Sequence, residues 1–262
     1  MRIPIYQVDA FATRRFAGNP AAVMPLERFL DDATLQAVAA ENNLAETAYL
    51  VRKGDDWDLR WFTPAVEVPL CGHATLASAW AVGERIEPGR QSMVFHSKSG
   101  PLTVRKHGSR VVMDFPKRTC TPVEPVPALE RALRAKPKEL YFDSVNYVAV
   151  LDSAETVRTL SPGIMEIAGL DRAGGVVVTA AGDQGYDCVS RYFAPAKGVE
   201  EDPVTGSAHC ALAPFWSARL KKPEIRAYQA SARGGEIICR PKGDRVELEG
   251  ECVFYMEGTV EI

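Results

Sequence analysis

Short runs of apolar and β-branched residues, bounded by turn-forming residues, recur along this chain and read as strands. Arg110-Val111-Val112-Met113-Asp114-Phe115 and Val176-Val177-Val178-Thr179 are two of them. A different period marks the helices. Leu35, Val38 and Ala39 stand at i, i+3, i+4 behind Asp31, whose carboxylate suits a helix N-cap. Ala74 to Val82 and Ala208 to Trp216 are apolar on nearly every face, and a helix of that kind must be covered all round. Pro214 falls inside the second of these and is expected to kink or shorten it. The resulting expectation is an α+β fold, in which an antiparallel sheet or half-barrel wraps one buried central helix in each half.

The halves are suggested by repetition, a signal that decides architecture when it is present. Asn19-Pro20-Ala21-Ala22-Val23-Met24 returns as Asn146-Tyr147-Val148-Ala149-Val150-Leu151, and Arg60-Trp61-Phe62-Thr63-Pro64-Ala65 as Arg191-Tyr192-Phe193-Ala194-Pro195-Ala196. Pro69-Leu70-Cys71-Gly72-His73-Ala74 returns as Pro203-Val204-Thr205-Gly206-Ser207-Ala208, and Gly108 to Met113 as Gly243 to Leu248. The offsets grow in order, 127, 131, 134 and 135, as loops lengthen. Two copies of one unit are therefore expected, 1–116 and 117–250. The stretch Pro116 to Pro127, with four prolines, reads as an irregular linker. Residues 251–262 have no counterpart, and Cys252-Val253-Phe254-Tyr255 reads as a strand that returns to complete the first sheet.

Composition narrows the function. With 46% hydrophobic and 25% charged residues in 262, the chain has the makings of a folded globular protein. A net charge of −3 supplies no basic field for nucleic acid or anionic lipid. No apolar run reaches the ~20 residues that span a bilayer, and the start lacks a secretion signal, so a cytoplasmic protein is expected. Six scattered cysteines without a C-x-x-C pair read as reduced thiols. The four histidines show no H-x-x-x-H or H-E-x-x-H spacing, so a metal site is not expected, although ligands distant in sequence could still meet in space.

Candidate chemistry gathers at the starts of the two buried helices, Cys71-Gly72-His73 and Thr205-Gly206-Ser207. The first amides of a helix have no internal partner and attract carboxylates or developing oxyanions, and glycine allows close approach. Either glycine alone could merely permit a tight turn; the matched pair points to a shared cleft binding a small anion. Departures from the repeat are equally informative. Glu46 enters a strand among apolar neighbours, while its counterpart region, Gly174-Gly175-Val176-Val177, has no carboxylate. Desolvation raises a carboxyl pKa, which suits a general acid/base near neutrality, although a solvent-facing strand glutamate would look the same. Asp202, in the insertion Gly198 to Pro203, either caps a turn or faces Glu46. His73 is a candidate donor, and Asn19 and Asn146 recur in register as candidate ligand contacts or ordinary turn residues.

Phe16-Ala17-Gly18-Asn19-Pro20, Asn43 to Ala48, Phe62-Thr63-Pro64, Cys71-Gly72-His73-Ala74-Thr75 and Glu201 to His209 together resemble the phenazine-biosynthesis (PhzF-like) isomerase family over nearly the whole chain. The resemblance implies the diaminopimelate-epimerase fold, with two pseudosymmetric domains and a site between them. It also implies cofactor-free proton transfer on a small carboxylic acid, commonly in a homodimer. The family's catalytic glutamate falls on Glu46 and its helpers on His73, Asp202 and Ser207, with Gly72 and Gly206 supplying amides to the substrate.

The related epimerases use two facing cysteines, whereas the equivalent positions here are Cys71 and Thr205. A threonine hydroxyl does not ionise usefully near neutrality, so two-thiol racemisation is not expected. Two other readings stay open: an amino-acid epimerase or racemase using Cys71, and a protein that binds a small ligand without turnover. The identity of the substrate is not encoded in these motifs.

Overall fold

The computed structural model describes residues 1–171 and 174–262. The chain divides into two compact units, Met1–Asp114 with Glu249–Ile262, and Phe115–Leu248. In the first unit the order is β1 (Arg2–Ala10), β2 (Asn19–Leu26), α1 (Asp32–Asn42), β3 (Glu46–Lys53), β4 (Asp56–Phe62), β5 (Glu67–Val68), α2 (Gly72–Ala81), β6 (Ser92–Ser97), β7 (Gly100–His107) and β8 (Arg110–Pro116). The second contains β9 (Thr121–Pro122), α3 (Pro127–Leu133), β10 (Glu139–Phe142), β11 (Asn146–Val150), α4 (Ala154–Thr159), α5 (Ile164–Ala168), β12 (Gly175–Ala181), β13 (Cys188–Ala194), β14 (Val199–Asp202), α6 (Gly206–Leu220), β15 (Ile225–Gln229) and β16 (Gly235–Lys242). The last strand, β17 (Arg245–Glu261), starts in the second unit and ends in the first.

The sheets are mixed, not antiparallel throughout. β2 runs parallel to β3 and β4 to β6, while β1–β2, β3–β4, β4–β5, β6–β7 and β7–β8 are antiparallel. The second unit repeats this alternation. β11–β12 and β13–β15 are parallel, and β10–β11, β12–β13, β13–β14 and β15–β16 antiparallel. The reason lies in the helices between strands. A parallel partner requires a crossover connection, which α1 provides from β2 to β3 and α2 from β4 to β6; α4 with α5, and α6, do the same in the second unit.

In the first unit the pairings close on themselves. β1 also pairs with β17, from Arg2↔Glu261 to Ala10↔Cys252, and β17 pairs with β8, leaving no free edge in that ring. Arg110 ties the β8–β17 join to Glu249 at 2.9 Å and Glu251 at 3.3 Å. Inside, α2 packs against β1, β2, β3 and β7, and His73 through Ala79 are all buried. Outside, α1 covers a second core of Ile3, Ile5, Ala22, Met24, Leu35, Ala39, Tyr49 and Phe62. With both faces covered, β2 is apolar at successive positions instead of alternating. Asp31 caps α1, accepting from the Thr34 amide at 2.9 Å.

Two expectations are corrected in the second unit. Pro214 does not shorten its helix: α6 continues to Leu220. The carbonyl of Cys210, deprived of its partner four residues on, instead accepts the Arg118 amide at 3.0 Å. The proline-rich stretch is not wholly irregular either, because β9 pairs Thr121 and Pro122 with β10, and Pro127 opens α3. Proline suits a first helical position, where its missing N–H would have no partner anyway. Among the described residues, no helix is long and apolar enough to cross a membrane.

Candidate active site

Each buried helix follows a short hairpin pair that an arginine fastens. Arg60 on β4 grips Glu67 of β5 with two bonds of 2.8 Å, and Arg191 on β13 grips Glu201 of β14 with bonds of 2.7 and 2.9 Å. Bidentate guanidinium–carboxylate pairs are directional as well as strong. The Glu67 carboxyl is pulled down to about 2, chiefly by its bond to Arg60. The arginines were visible as a repeat in sequence; their glutamate partners, displaced by loop insertions, were not.

At the start of α2 the sequence Cys71-Gly72-His73 meets the first residue of β3. His73 Nε2 lies 2.9 Å from Glu46 Oε2, its Nδ1 lies 3.1 Å from Asn19 Nδ2 and 3.5 Å from Cys71 Sγ. The side chain of His73 is 5% exposed and that of Glu46 15%, so the carboxylate is the outward end of the cluster. The parallel β2–β3 register, Ala21 opposite Glu46, sets Glu46 two residues along from the start of β2, so that Asn19 and Glu46 meet opposite nitrogens of the His73 ring. Gly18, at φ +67, permits that start: a Cβ there would sit 2.2 Å from the Ala10 carbonyl oxygen.

The electrostatics follow from this packing. Burial opposes a charged imidazole at His73, yet the Glu46 carboxylate and the ring's contacts with Cys71 and Glu46 outweigh it and raise its pKa well above the ordinary value. Burial first, and then the Glu46 charge, push the Cys71 thiol up to about 11, so it is protonated near neutrality and poorly suited to act as a base. Glu46, Cys71 and His73 each offer a ligand atom within 4.8 Å of the others. No spacing motif revealed this grouping, because the fold alone brings residue 46 to residues 71 and 73.

The corresponding region of the second unit is built differently. The register of β11 with β12 and of β12 with β13 places Val177 or Gly175 where β3 has Glu46, and neither carries an acid. Asn146 donates to Asp143 Oδ2 at 3.1 Å and accepts from Tyr192 Oη at 3.2 Å. Asn19 thus lies against His73, and Asn146 against Asp143 and Tyr192, all in buried surroundings. Asp202, opposite Tyr192 in the β13–β14 register, accepts from the Thr205 hydroxyl. The cap of α6 is Thr205, not Asp202 with Pro203 in the first position, and Asp202 contributes this side-chain contact within the turn. Gly206 is buried and Ser207 half-buried in the first turn of α6.

Sequence reasoning missed the residue that holds this turn. Gln229, fully buried on β15, accepts from the Thr205 amide at 2.8 Å and donates to the Asp202 carbonyl at 2.7 Å and to Thr205 Oγ1 at 3.1 Å. It lies in no repeated segment, and only the folded register shows its use. His209, one turn into α6, bonds the Thr205 carbonyl at 2.8 Å, and burial lowers its pKa to about 4. It is a neutral structural histidine.

Known proteins are similar to this chain along its length. It is 46% identical over 262 residues to an uncharacterized isomerase of Pseudomonas aeruginosa, covering 100% of both chains. It is 37% identical over 288 residues to a phenazine biosynthesis-like domain-containing protein of Homo sapiens, covering 99% of each. The crystal structure of a phenazine biosynthesis protein of the PhzF family from Enterococcus faecalis aligns with a TM-score of 0.96 at 42% identity, over 100% of both chains. Residues 8–258 match the PhzC–PhzF family profile, described as phenazine biosynthesis-like protein. With its motifs, its register and these full-length likenesses in agreement, the chain belongs to the PhzC–PhzF, phenazine biosynthesis-like family.

Proposed function

We propose that the protein is a cofactor-independent isomerase that moves a proton between carbon atoms of a small carboxylic acid, with Glu46 as the general acid/base. The observation that carries this reading is the contact of Glu46 with a buried, positively shifted His73 at the start of α2. Membership of the family, and relatives named as isomerases, support the reaction class.

In this proposal Glu46 removes a proton from a carbon conjugated to the substrate carboxylate. The electron pair delocalises toward that carboxylate, and Glu46 returns the proton at another carbon, so no redox partner is required. His73, whose Nε2 lies 2.9 Å from Glu46 Oε2, keeps the carboxylate aimed. Gly72 offers a first-turn amide to developing negative charge, where hydrogen-bond donors stabilise an oxyanion best. In the second unit, Asp202, Gly206 and Ser207 are assigned to holding the substrate. Asn19 and Asn146 orient His73 and the Asp143–Tyr192 pair. The protonated state of Cys71 weighs against thiol-based racemisation.

The test is solvent exchange. Incubated in D₂O with a panel of small unsaturated carboxylic acids, the wild-type protein should place deuterium at carbon in at least one. Glu46→Gln should lower that rate by about 10²–10⁴-fold while leaving binding of the same acid nearly unchanged. Activity retained in Glu46→Gln but lost in Cys71→Ala would replace this mechanism with a thiol-based one.

A further inference from the structure

The first-unit cluster contains a donor set that proton transfer does not call for: a thiol, an imidazole and a carboxylate converging within one small volume. We propose that Glu46, Cys71 and His73 form a site for a thiophilic divalent transition ion such as Zn²⁺ or Co²⁺, acting as an inhibitor and not as a cofactor. The binding claim stands on geometry alone; only the accompanying loss of turnover rests on the role given to Glu46 above.

The geometry is favourable at its tightest edge. Zinc sites place sulfur about 2.3 Å and nitrogen about 2.0–2.1 Å from a tetrahedral ion, which requires a sulfur-to-nitrogen separation of about 3.5 Å. Cys71 Sγ and His73 Nδ1 are 3.5 Å apart. One ligand atom from each of the three residues lies within 4.8 Å of the others, with the Glu46 carboxylate on the Nε2 side of the ring. That carboxylate sits on a side chain long enough to close the remaining distance by rotation about its χ angles. Because the imidazole presents Nε2 to Glu46 and Nδ1 to Cys71, the ion takes one ring nitrogen and the carboxylate swings toward it. Three protein ligands leave a fourth tetrahedral position for water, as in open zinc sites.

The environment also selects for this class of ion. Thiolate and imidazole favour Zn²⁺ and related borderline-soft ions over Mg²⁺ and Ca²⁺, which require oxygen ligands. Entry lies past Glu46, whose side chain is the most exposed of the three. Binding replaces two protons, one from the Cys71 thiol and one from the His73 imidazolium, which leave to solvent as the metal–sulfur and metal–nitrogen bonds form; no oxidation state changes. Affinity should therefore rise with pH. A bound ion would occupy both groups assigned to the acid/base step.

Cobalt provides the readout, since a cobalt–thiolate bond absorbs in the near ultraviolet whereas histidine and carboxylate ligation does not. Co²⁺ titrated into the reduced wild-type protein should give one equivalent of binding with a thiolate charge-transfer band. Zn²⁺ should abolish the band and Mg²⁺ should not. Cys71→Ala should lose the band, and His73→Asn should weaken Co²⁺ binding by about tenfold or more, at least the cost of disturbing a metal ligand's support. Cys120, the one thiol that is not buried, is the natural competitor, so Cys120→Ser should leave the band intact. Cys71→Ser serves if the alanine variant does not fold. Failure of wild-type protein to bind Co²⁺, binding without a thiolate band, or a band that survives in the Cys71 variant would each overturn the site. If Co²⁺ binds as described while Glu46→Gln keeps full turnover, the site stands and the catalytic reading falls.

Discussion

The behaviour of His73 depends on three contacts, with Glu46 at Nε2 and with Asn19 and Cys71 at Nδ1. Its pKa is raised in the folded protein, against burial, by the Glu46 carboxylate and by the ring's contacts with Cys71 and Glu46. A group bound more tightly to its proton when folded stabilises the fold fully below its unfolded pKa, about 6.5 for histidine. That contribution is lost as pH rises through the folded value. Urea midpoints of the wild-type protein should therefore fall with increasing pH on the alkaline side of neutrality, and His73→Gln should flatten this slope. Parallel slopes for the two proteins would show that the ring is not charged in the folded state. His209 has the opposite sign. Its pKa is lowered to about 4 by burial, so its contribution is present above about pH 6.5 and declines as pH falls toward 4. His209→Asn should reduce the loss of stability seen on acidification, measured by the same midpoints.

Among the elements, the two helix starts are alike in sequence and different in construction. The start of α2 is held by side chains from β2 and β3, the start of α6 by Gln229 reaching from β15. Replacing Gln229 with Leu keeps the bulk and leaves the Thr205 amide and Asp202 carbonyl without their partner. A buried group deprived of its hydrogen bond costs on the order of 1–3 kcal/mol. The melting temperature should fall accordingly, and turnover should fall beyond what the lost stability explains if the 202–207 segment holds substrate. An unchanged melting temperature would mean that solvent satisfies these groups. The mixed sheets belong to the same scale. Apolar patterning located β3, β8 and β12, but whether neighbours run parallel depends on the crossover helices, which periodicity within a single strand does not record.

For the molecule as a whole, the ring in the first unit depends on a strand made from the far end of the chain. β1 pairs with β17 along residues 252–261, contacts of the longest sequence separation available. Deleting residues 252–262 would strip β1 of one neighbour and leave an apolar edge open to association. The truncated protein should lose cooperative unfolding and aggregate, as read by size-exclusion chromatography and a urea titration. A monomeric product with an unchanged midpoint would show that the ring does not need its last strand.

The sequence by itself determined the repeat, the buried character of α2 and α6, the cap at Asp31 and the asymmetry between Glu46 and its uncharged counterpart. Each of these is written in residues close together in the chain or in a register that survives small insertions. Tertiary structure alone decided that His73 and Cys71 lie against Glu46, that Asn19 and Asn146 serve protein partners, and that Gln229 fastens the turn after Asp202. It also decided that the Arg118 amide rescues the carbonyl orphaned by Pro214. The physical reason is common to all four. A buried polar group must find a partner, but which partner it finds depends on how distant strands align, and no local pattern of residues carries that alignment.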